Sequence, residues 1–434
     1  MPPLHEEIWF LIFQTLQNGV SRTAWGEIEY DNDRIKSVIP LTKTCRSFYR
    51  MCQPLLFKTI VINHSNRAEC LASILESKPH LRNAVSKVHI APDSLIPSET
   101  QDKVEKALMK LFSIRELWIW GVKISRALAG HFQQCPLLER LFLWKVTITD
   151  KEPTISSFRS LKSLRYKQGR ANGFTTLSLP NLEALGMDSE FIDSDQLPLG
   201  TMKDHQNFQF SPTVLKYLTI FTPLYLIDSM QAGLLGLLGR ANQIRSLTLP
   251  KNKFSDNFNV PNDLIPNLEI FDGPANLVLK FCKGRPVRDL RMSFPDRGIW
   301  MRADEAPSLL PPGSVPLEHL SIIGCMWEDD IMGYIAQHCP ELGSLTIRAE
   351  YVAGPLSIRH PMPDLRSATF LPTYGPWYRD DGSGGKSESE ARIVRNCKWF
   401  WTELEYLRLD PNYFWRYRDL EVERFEGEEV EGEW

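Results

Sequence analysis

Cysteine and histidine come close together twice in this chain, as His131 with Cys135 and as His338 with Cys339 and the nearby Cys325, and these are side chains that bind zinc. A structural zinc site needs four such ligands in a compact set. Neither group supplies four at the usual spacing, so both are read as repeat-core cysteines and no metal is expected. Gly382-Ser383-Gly384-Gly385-Lys386-Ser387 ends as a phosphate-cradling loop does, yet the glycine required five places before Gly385 is Asp380, and no apolar strand leads into it. The stretch from about Pro372 to Ser389 is instead expected to be a flexible insertion, with Ser383, Ser387 and Ser389 as places for phosphorylation. No Gly-x-Ser-x-Gly elbow and no His-Glu-x-x-His helix occurs. The chain is expected to be no enzyme and to need no cofactor.

Recognition is the chemistry that remains. Trp118, Trp120, Phe142 and Trp144 alternate with leucines and isoleucines, and Arg140, Arg165 and Lys167 fall in the same alternating positions. Aromatics joined to cations are the composition favoured where proteins bind each other most tightly. These seven residues are therefore expected to receive a protein substrate, in the form of an acidic or phosphorylated segment facing Arg140, Arg165 and Lys167. In the competing reading the tryptophans pack against one another or under a loop and only close the surface. Burial of Trp118 and Trp144 against their own chain would decide for it.

The alternation belongs to a repeat. L-x-x-L-x-L or a close variant begins at Val85, Ile114, Leu138, Leu161, Leu182, Leu215, Ile244, Leu268, Val287, Leu317, Leu342, Leu365 and Leu404. Most steps fall between about 20 and 30 residues, the range of leucine-rich repeats. The longer steps into Leu215, Leu317 and Leu404 are assigned to loops or irregular units. In each strand the leucines should point inward, leaving the residues between them on a concave face that continues through Thr219, Phe221, Thr248, Arg291, Ser321, Thr346, Arg348 and Arg408. Asn252, Asn276, Cys325 and Asn412 occupy the turn position after the strand, where Val122 and Val146 depart from the pattern. Helical spacing in Thr100 to Phe112, and at Ile331, Ile335 and Ala336, places helices outside the strands.

The first 62 residues read differently. Leu4, Ile8, Leu11, Ile12 and Leu16 form one amphipathic pattern, and apolar spacing resumes at Ile35, Val38, Ile39 and Leu41 until Pro40 stops or kinks the helix. A third helix carries Cys45, Phe48 and Met51 or Cys52 until Pro54 ends it. So small a helical trio buries little core and should lean on a partner.

This trio, and above all Pro40-Leu41-Thr42-Lys43-Thr44-Cys45-Arg46-Ser47-Phe48-Tyr49 with Pro54-Leu55-Leu56-Phe57, resembles an F-box of the kind abundant in filamentous fungi. His5 stands where that family usually has proline, and the polar stretch from Asn18 to Asp33 is long for it. The Cys135-Pro136 and Cys339-Pro340 stops resemble the cysteine-containing repeats that commonly follow F-boxes. The resemblance implies a substrate receptor: the F-box binds a Skp-type adaptor and, through it, a cullin ubiquitin ligase, while the repeats bind a protein substrate. It also implies that Leu4, Ile8, Ile12, Pro40, Leu41, Cys45, Leu55 and Phe57 lie at or beside the adaptor interface. Two rivals stay open, a repeat scaffold outside any ligase and a repeat-type regulator of another enzyme such as a small GTPase.

The expected fold class is α/β, with a small three-helix F-box over residues 1–62, an irregular repeat solenoid over 63–412 with parallel strands inside its curve and helices outside, and a cap with an acidic tail over 413–434. That tail holds seven glutamates from Glu421 to Glu433 against the single Arg424, a pattern usually solvated, though it could also shield basic concave residues. With 434 residues, 43% hydrophobic and 24% charged, the chain is long enough for sizeable cores. A net charge of -3 gives no basic field for nucleic acid, and no apolar stretch approaches the roughly 20 residues that span a bilayer. Without a secretory leader, the eight scattered cysteines suit reduced thiols in the cytoplasm or nucleus, where the Asn63-His64-Ser65 sequon stays bare.

Overall fold

The computed structural model describes residues 39–40, 42–62, 65–91, 98–148, 155–167, 176–187, 207–210, 212–221, 228–251, 254, 258–294, 300–301, 310, 314–327, 331–352, 360–372, 386–410, 413–418 and 421–426. They form two compact units, one built from the chain up to Asp188 together with Gln196–Ser211, the other from Pro212 to Glu431.

In the first unit Cys45 caps helix α1 (Arg46–Leu56), its sulfur accepting the Phe48 N–H at 3.4 Å. Pro54 does not end this helix, as the sequence suggested, but sits inside its last turn. The Phe57 N–H still bonds the Gln53 carbonyl, and burial of Cys52 and Leu55 among Phe48, Met51 and Leu56 holds that turn together. Three residues beyond Leu56 the chain enters β1 (Thr59–Ile62), so the first strand precedes the first leucine repeat read from the sequence.

After β1 come α2 (Ser65–Ser77), β2 (Lys87–Ile90), α3 (Ser98–Leu108), β3 (Glu116–Trp120), β4 (Lys123–Ile124), α4 (Arg126–Gln134), β5 (Arg140–Trp144), β6 (Thr147–Ile148), β7 (Ile155–Ser157), β8 (Ser163–Lys167), β9 (Thr176–Leu179), β10 (Ala184–Met187) and β11 (Asn207–Phe210). The main sheet is parallel in the order β1, β2, β3, β5, β8, β10. After β5 and β8 the described residues form β7 and β9, which join β11 in a second parallel sheet. Ile-Ser-Ser and Thr-Leu-Ser-Leu are short and rich in β-formers, too short to nucleate a helix.

Alternation along each strand sorts the side chains. Ile60, Val88, Leu117, Leu141, Leu164 and Leu185 stand in one line across the sheet, and Ile62, Ile90, Ile119, Leu143, Tyr166 and Met187 in the next, none more than 5% exposed. Strand entrances repeat a second pattern. One carbonyl accepts two N–H groups from the following strand: Ser86 from Arg115 and Glu116, Arg115 from Glu139 and Arg140, Glu139 from Lys162 and Ser163. The side chains at these entrances alternate in sign, so that Glu139 lies 4.0 Å from Arg115 and 3.6 Å from Lys162. Such half-exposed pairs are screened, and Glu139→Gln is expected to change the unfolding free energy by less than about 1 kcal/mol. A several-fold larger loss in urea unfolding would assign the register to these charges and not to the buried lines.

The second unit carries β12 (Tyr217–Ile220), α5 (Asp228–Arg240), β13 (Ser246–Thr248), β14 (Ile270–Pro274), α6 (Val278–Cys282), β15 (Asp289–Ser293), β16 (Trp300–Met301), β17 (His319–Trp327), α7 (Ile331–His338), β18 (Ser344–Val352), β19 (Ser367–Pro372), α8 (Lys386–Phe400), β20 (Tyr406–Asp410), β21 (Tyr413–Arg418) and β22 (Glu421–Glu426). Its parallel sheet runs β12, β13, β14, β15, β17, β18, β19, β20. Leu218, Leu247, Phe271, Leu290, Leu320, Leu345, Ala368 and Leu407 form its inner line. After β14, Asn276 donates its side-chain amide to the Phe254 carbonyl at 2.9 Å, the turn role expected of it; Asn252 and Asn412 lie outside the described residues.

Arg285 is the unusual core residue of this unit. Only 3% exposed, its guanidinium donates to five backbone carbonyls, those of Pro261 (3.1 Å), Asn262 (3.2 Å), Leu264 (3.0 Å), Lys280 (3.0 Å) and Phe281 (2.6 Å). It ties the last turn of α6 to a turn in which the buried Ile265 holds a φ of 44°, a region β-branched residues avoid.

The sheet ends in an antiparallel hairpin, β21 and β22. Three of the seven glutamates, Glu421, Glu423 and Glu426, therefore lie on a strand, with Glu421 and Glu423 opposite Arg418 and Arg416, in register with a Tyr-Phe-Trp-Arg-Tyr segment that favours β pairing. Glutamates on a terminal strand also discourage pairing with another chain. Glu428, Glu429, Glu431 and Glu433 lie outside the described residues, as do residues 373–385 of the expected insertion, whereas Lys386 and Ser387 open α8.

Candidate binding face of the first unit

The residues between the buried lines of β2, β3, β5 and β8 make three rows. The first reads Lys87, Glu116, Arg140, Ser163, the second His89, Trp118, Phe142, Arg165, and the third Trp120, Trp144, Lys167. Strand spacing brings the rings into contact. Trp118 stacks on Phe142 with centroids 3.9 Å apart and planes 10° from parallel, and Trp120 stacks on Trp144 at 4.6 Å and 7°. His89 tilts against Trp118 at 5.4 Å, and the Arg165 guanidinium lies 4.9 Å from the centre of the Phe142 ring.

Glu116 organises the first row. Its carboxylate accepts the Trp118 indole N–H at 2.8 Å, and lies 3.2 Å from the Lys87 ammonium and 3.7 Å from the Arg140 guanidinium. Burial pushes its carboxyl up, but Lys87, the indole hydrogen bond and His89 outweigh it and hold the group below the ordinary glutamate value. His89 is 7% exposed, and burial lowers it to about 4 against the pull of Glu116, with Lys87 adding to the lowering. Near neutral pH the pair is thus a carboxylate and a neutral imidazole, neither poised for proton transfer.

All seven residues predicted for substrate contact belong to this face. Trp118, Phe142 and Trp144 are half-buried in their stacks and Trp120 is 47% exposed, so the rings pack against one another and still leave ring surface in solvent. Arg140 is exposed but engaged by Glu116, and Lys167 is placed by its register opposite Trp144. Sequence reasoning passed over Lys87, His89 and Glu116. The alternation that selected Trp118 selects all three, one strand or two residues earlier.

The residues expected at an adaptor interface fare differently. Leu4, Ile8, Ile12 and Leu41 lie outside the described residues. Pro40 and Cys45 are exposed, Phe57 is half-buried, and Leu55, 5% exposed, belongs to the segment's own core. Among the described residues of this segment, the large apolar side chains exposed are Ile39 and Tyr49, neither of them among the residues expected at the interface.

The Cys-Pro stops have structural roles. Cys135 ends α4 with its sulfur 3.5 Å from the Leu111 carbonyl, which also meets His131 Nε2 at 3.0 Å, and burial pushes the Cys135 and Cys339 thiols up to about 11. Among the described residues no group of three or more His, Cys, Asp or Glu could hold a metal, and no disulfide joins the cysteines. In the second unit the outward line runs Thr219, Thr248, Asp272, Arg291, Ser321, Thr346, Thr369, Arg408, with Arg291 held by both oxygens of Asp289. Phe221 and Arg348 are half-buried beside it.

Fold and face together define a mixed α/β protein whose open, mostly parallel sheets present stacked aromatics and cations. No protein-family model matches the chain, and no curated protein matches it significantly. No helix among the described residues is long and apolar enough to cross a membrane.

Proposed function

We propose that the protein is a non-catalytic substrate receptor of a cullin-based ubiquitin ligase. An F-box around α1 binds a Skp-type adaptor, and a leucine-rich-repeat solenoid holds a protein for ubiquitin transfer by a separate conjugating enzyme, so that catalysis comes from proximity. One observation carries this reading. The helix that bears the Thr-Cys-Arg-Ser-Phe motif passes within three residues into the first strand of a parallel sheet whose outward face offers a half-exposed tryptophan in a rigid stack. Burial of Leu55 within its own segment supports a second reading, a repeat scaffold outside any ligase.

Titrating the full chain with a purified Skp-type adaptor separates the two. Binding is expected, weakened at least about tenfold by Tyr49→Asp or Ile39→Asp, since both side chains are exposed and charging them leaves the core intact. Absence of binding by the unaltered chain would leave the scaffold reading standing.

A further inference from the structure

We infer that the outward face of β2, β3, β5 and β8 takes an acidic peptide segment carrying an aromatic side chain. This deepens the reading of that face as the substrate surface and does not depend on the adaptor. Charge comes first. The outward positions of these four strands hold the cations Lys87, Arg140, Arg165 and Lys167 against the one carboxylate of Glu116, a surplus of three positive charges on a chain whose net charge is -3. Glu116 has no spare capacity for an incoming cation, because Lys87, Arg140 and the Trp118 indole already share it. A basic partner would have to break those contacts, whereas an acidic one meets Arg140 on its exposed side and Arg165 at the end of the second row.

The rings specify the second element. Trp120 lies flat on Trp144 with nearly half of its surface in solvent, held by neighbouring strands, so an aromatic side chain can pack on it with little ordering of the protein. A single-stranded nucleic acid also combines negative charge with stacking. Centroid distances of 3.9 and 4.6 Å leave no gap for bases between the rings, however, which favours peptide.

The test uses the full chain and a fluorescein-labelled peptide, Glu-Glu-Trp-Glu-Glu, read by fluorescence polarisation. Saturable binding is expected, falling at least about tenfold for Gln-Gln-Trp-Gln-Gln and for Glu-Glu-Ala-Glu-Glu, and weakening with added salt. Arg165→Glu should weaken the acidic peptide by a similar factor. Trp120→Ala, which removes only half-exposed ring surface, should do the same for the tryptophan-bearing peptide alone, with circular dichroism checking that both variants are folded. Equal binding of the glutamine peptide, indifference to both substitutions, no saturable binding, or tighter binding of a single-stranded oligothymidine would overturn the inference. Because no adaptor takes part, failure here is distinct from failure of the ligase reading.

Discussion

Replacing Arg285 by methionine is expected to destabilise the second unit by about 4 kcal/mol, the largest single-residue effect foreseen for this chain. Methionine fills the space of the aliphatic stem but ends two atoms short of the terminal guanidinium nitrogens, so five carbonyls lose charged donors, and those of Leu264 and Phe281 lie in the core. Hydrogen bonds to charged groups contribute roughly 1.5 to 3 kcal/mol each, and the sum is reduced because the guanidinium must itself be stripped of water. Lysine keeps the charge and still fails, since one ammonium has three donors and no planar fork with which to reach both turns. Urea unfolding of the wild type, Arg285→Met and Arg285→Lys checks this. Loss of less than about 1 kcal/mol in both variants would mean that Ile265 and its turn are held by packing alone.

The second large effect is a pH dependence from His89. Its folded value of about 4 lies below the ordinary histidine value of 6.5, so the unfolded chain takes up the proton first as pH falls. Stability from this group is complete above pH 6.5, declines as the pH drops toward 4, and suffers no further loss below it. At pH 5 the loss is about 2 kcal/mol. His89→Phe retains a ring against Trp118 and cannot titrate. The expected result is that the wild type loses about 2 kcal/mol more than this variant between pH 7 and pH 5 in urea unfolding. Parallel losses in the two proteins would show that His89 is protonated without penalty, and that it is not buried as described.

Both effects sit where sequence reading was weakest. Leucine spacing located the strands well: each of the thirteen repeat starts, from Val85 to Leu404, precedes a strand of a parallel sheet by a few residues. That signal is strong because a slip of one residue would expose a whole buried line. It is silent wherever no leucine repeat is needed. Thr-Ile-Val-Ile of β1 was absorbed into the helical segment before it, the small sheet of β7, β9 and β11 has no leucine register, and the acidic composition of β22 concealed its pairing with β21. Arg285 follows Gly284 in a turn and gives no hint, at the level of sequence, that five carbonyls converge on it. On the binding face, alternation found the tryptophans and cations. The burial of Glu116 and His89 arises from neighbouring strands, information that one strand's sequence does not contain.

The account stands or falls on whether this chain joins a ligase. The direct measurement mixes the purified full chain with a preassembled Skp-type adaptor and cullin scaffold and follows mass by light scattering during size-exclusion chromatography. A ternary complex of equal stoichiometry, lost on Tyr49→Asp while the variant remains folded, is the predicted result. Elution of the unaltered chain at its own mass, apart from the adaptor and cullin, would contradict it.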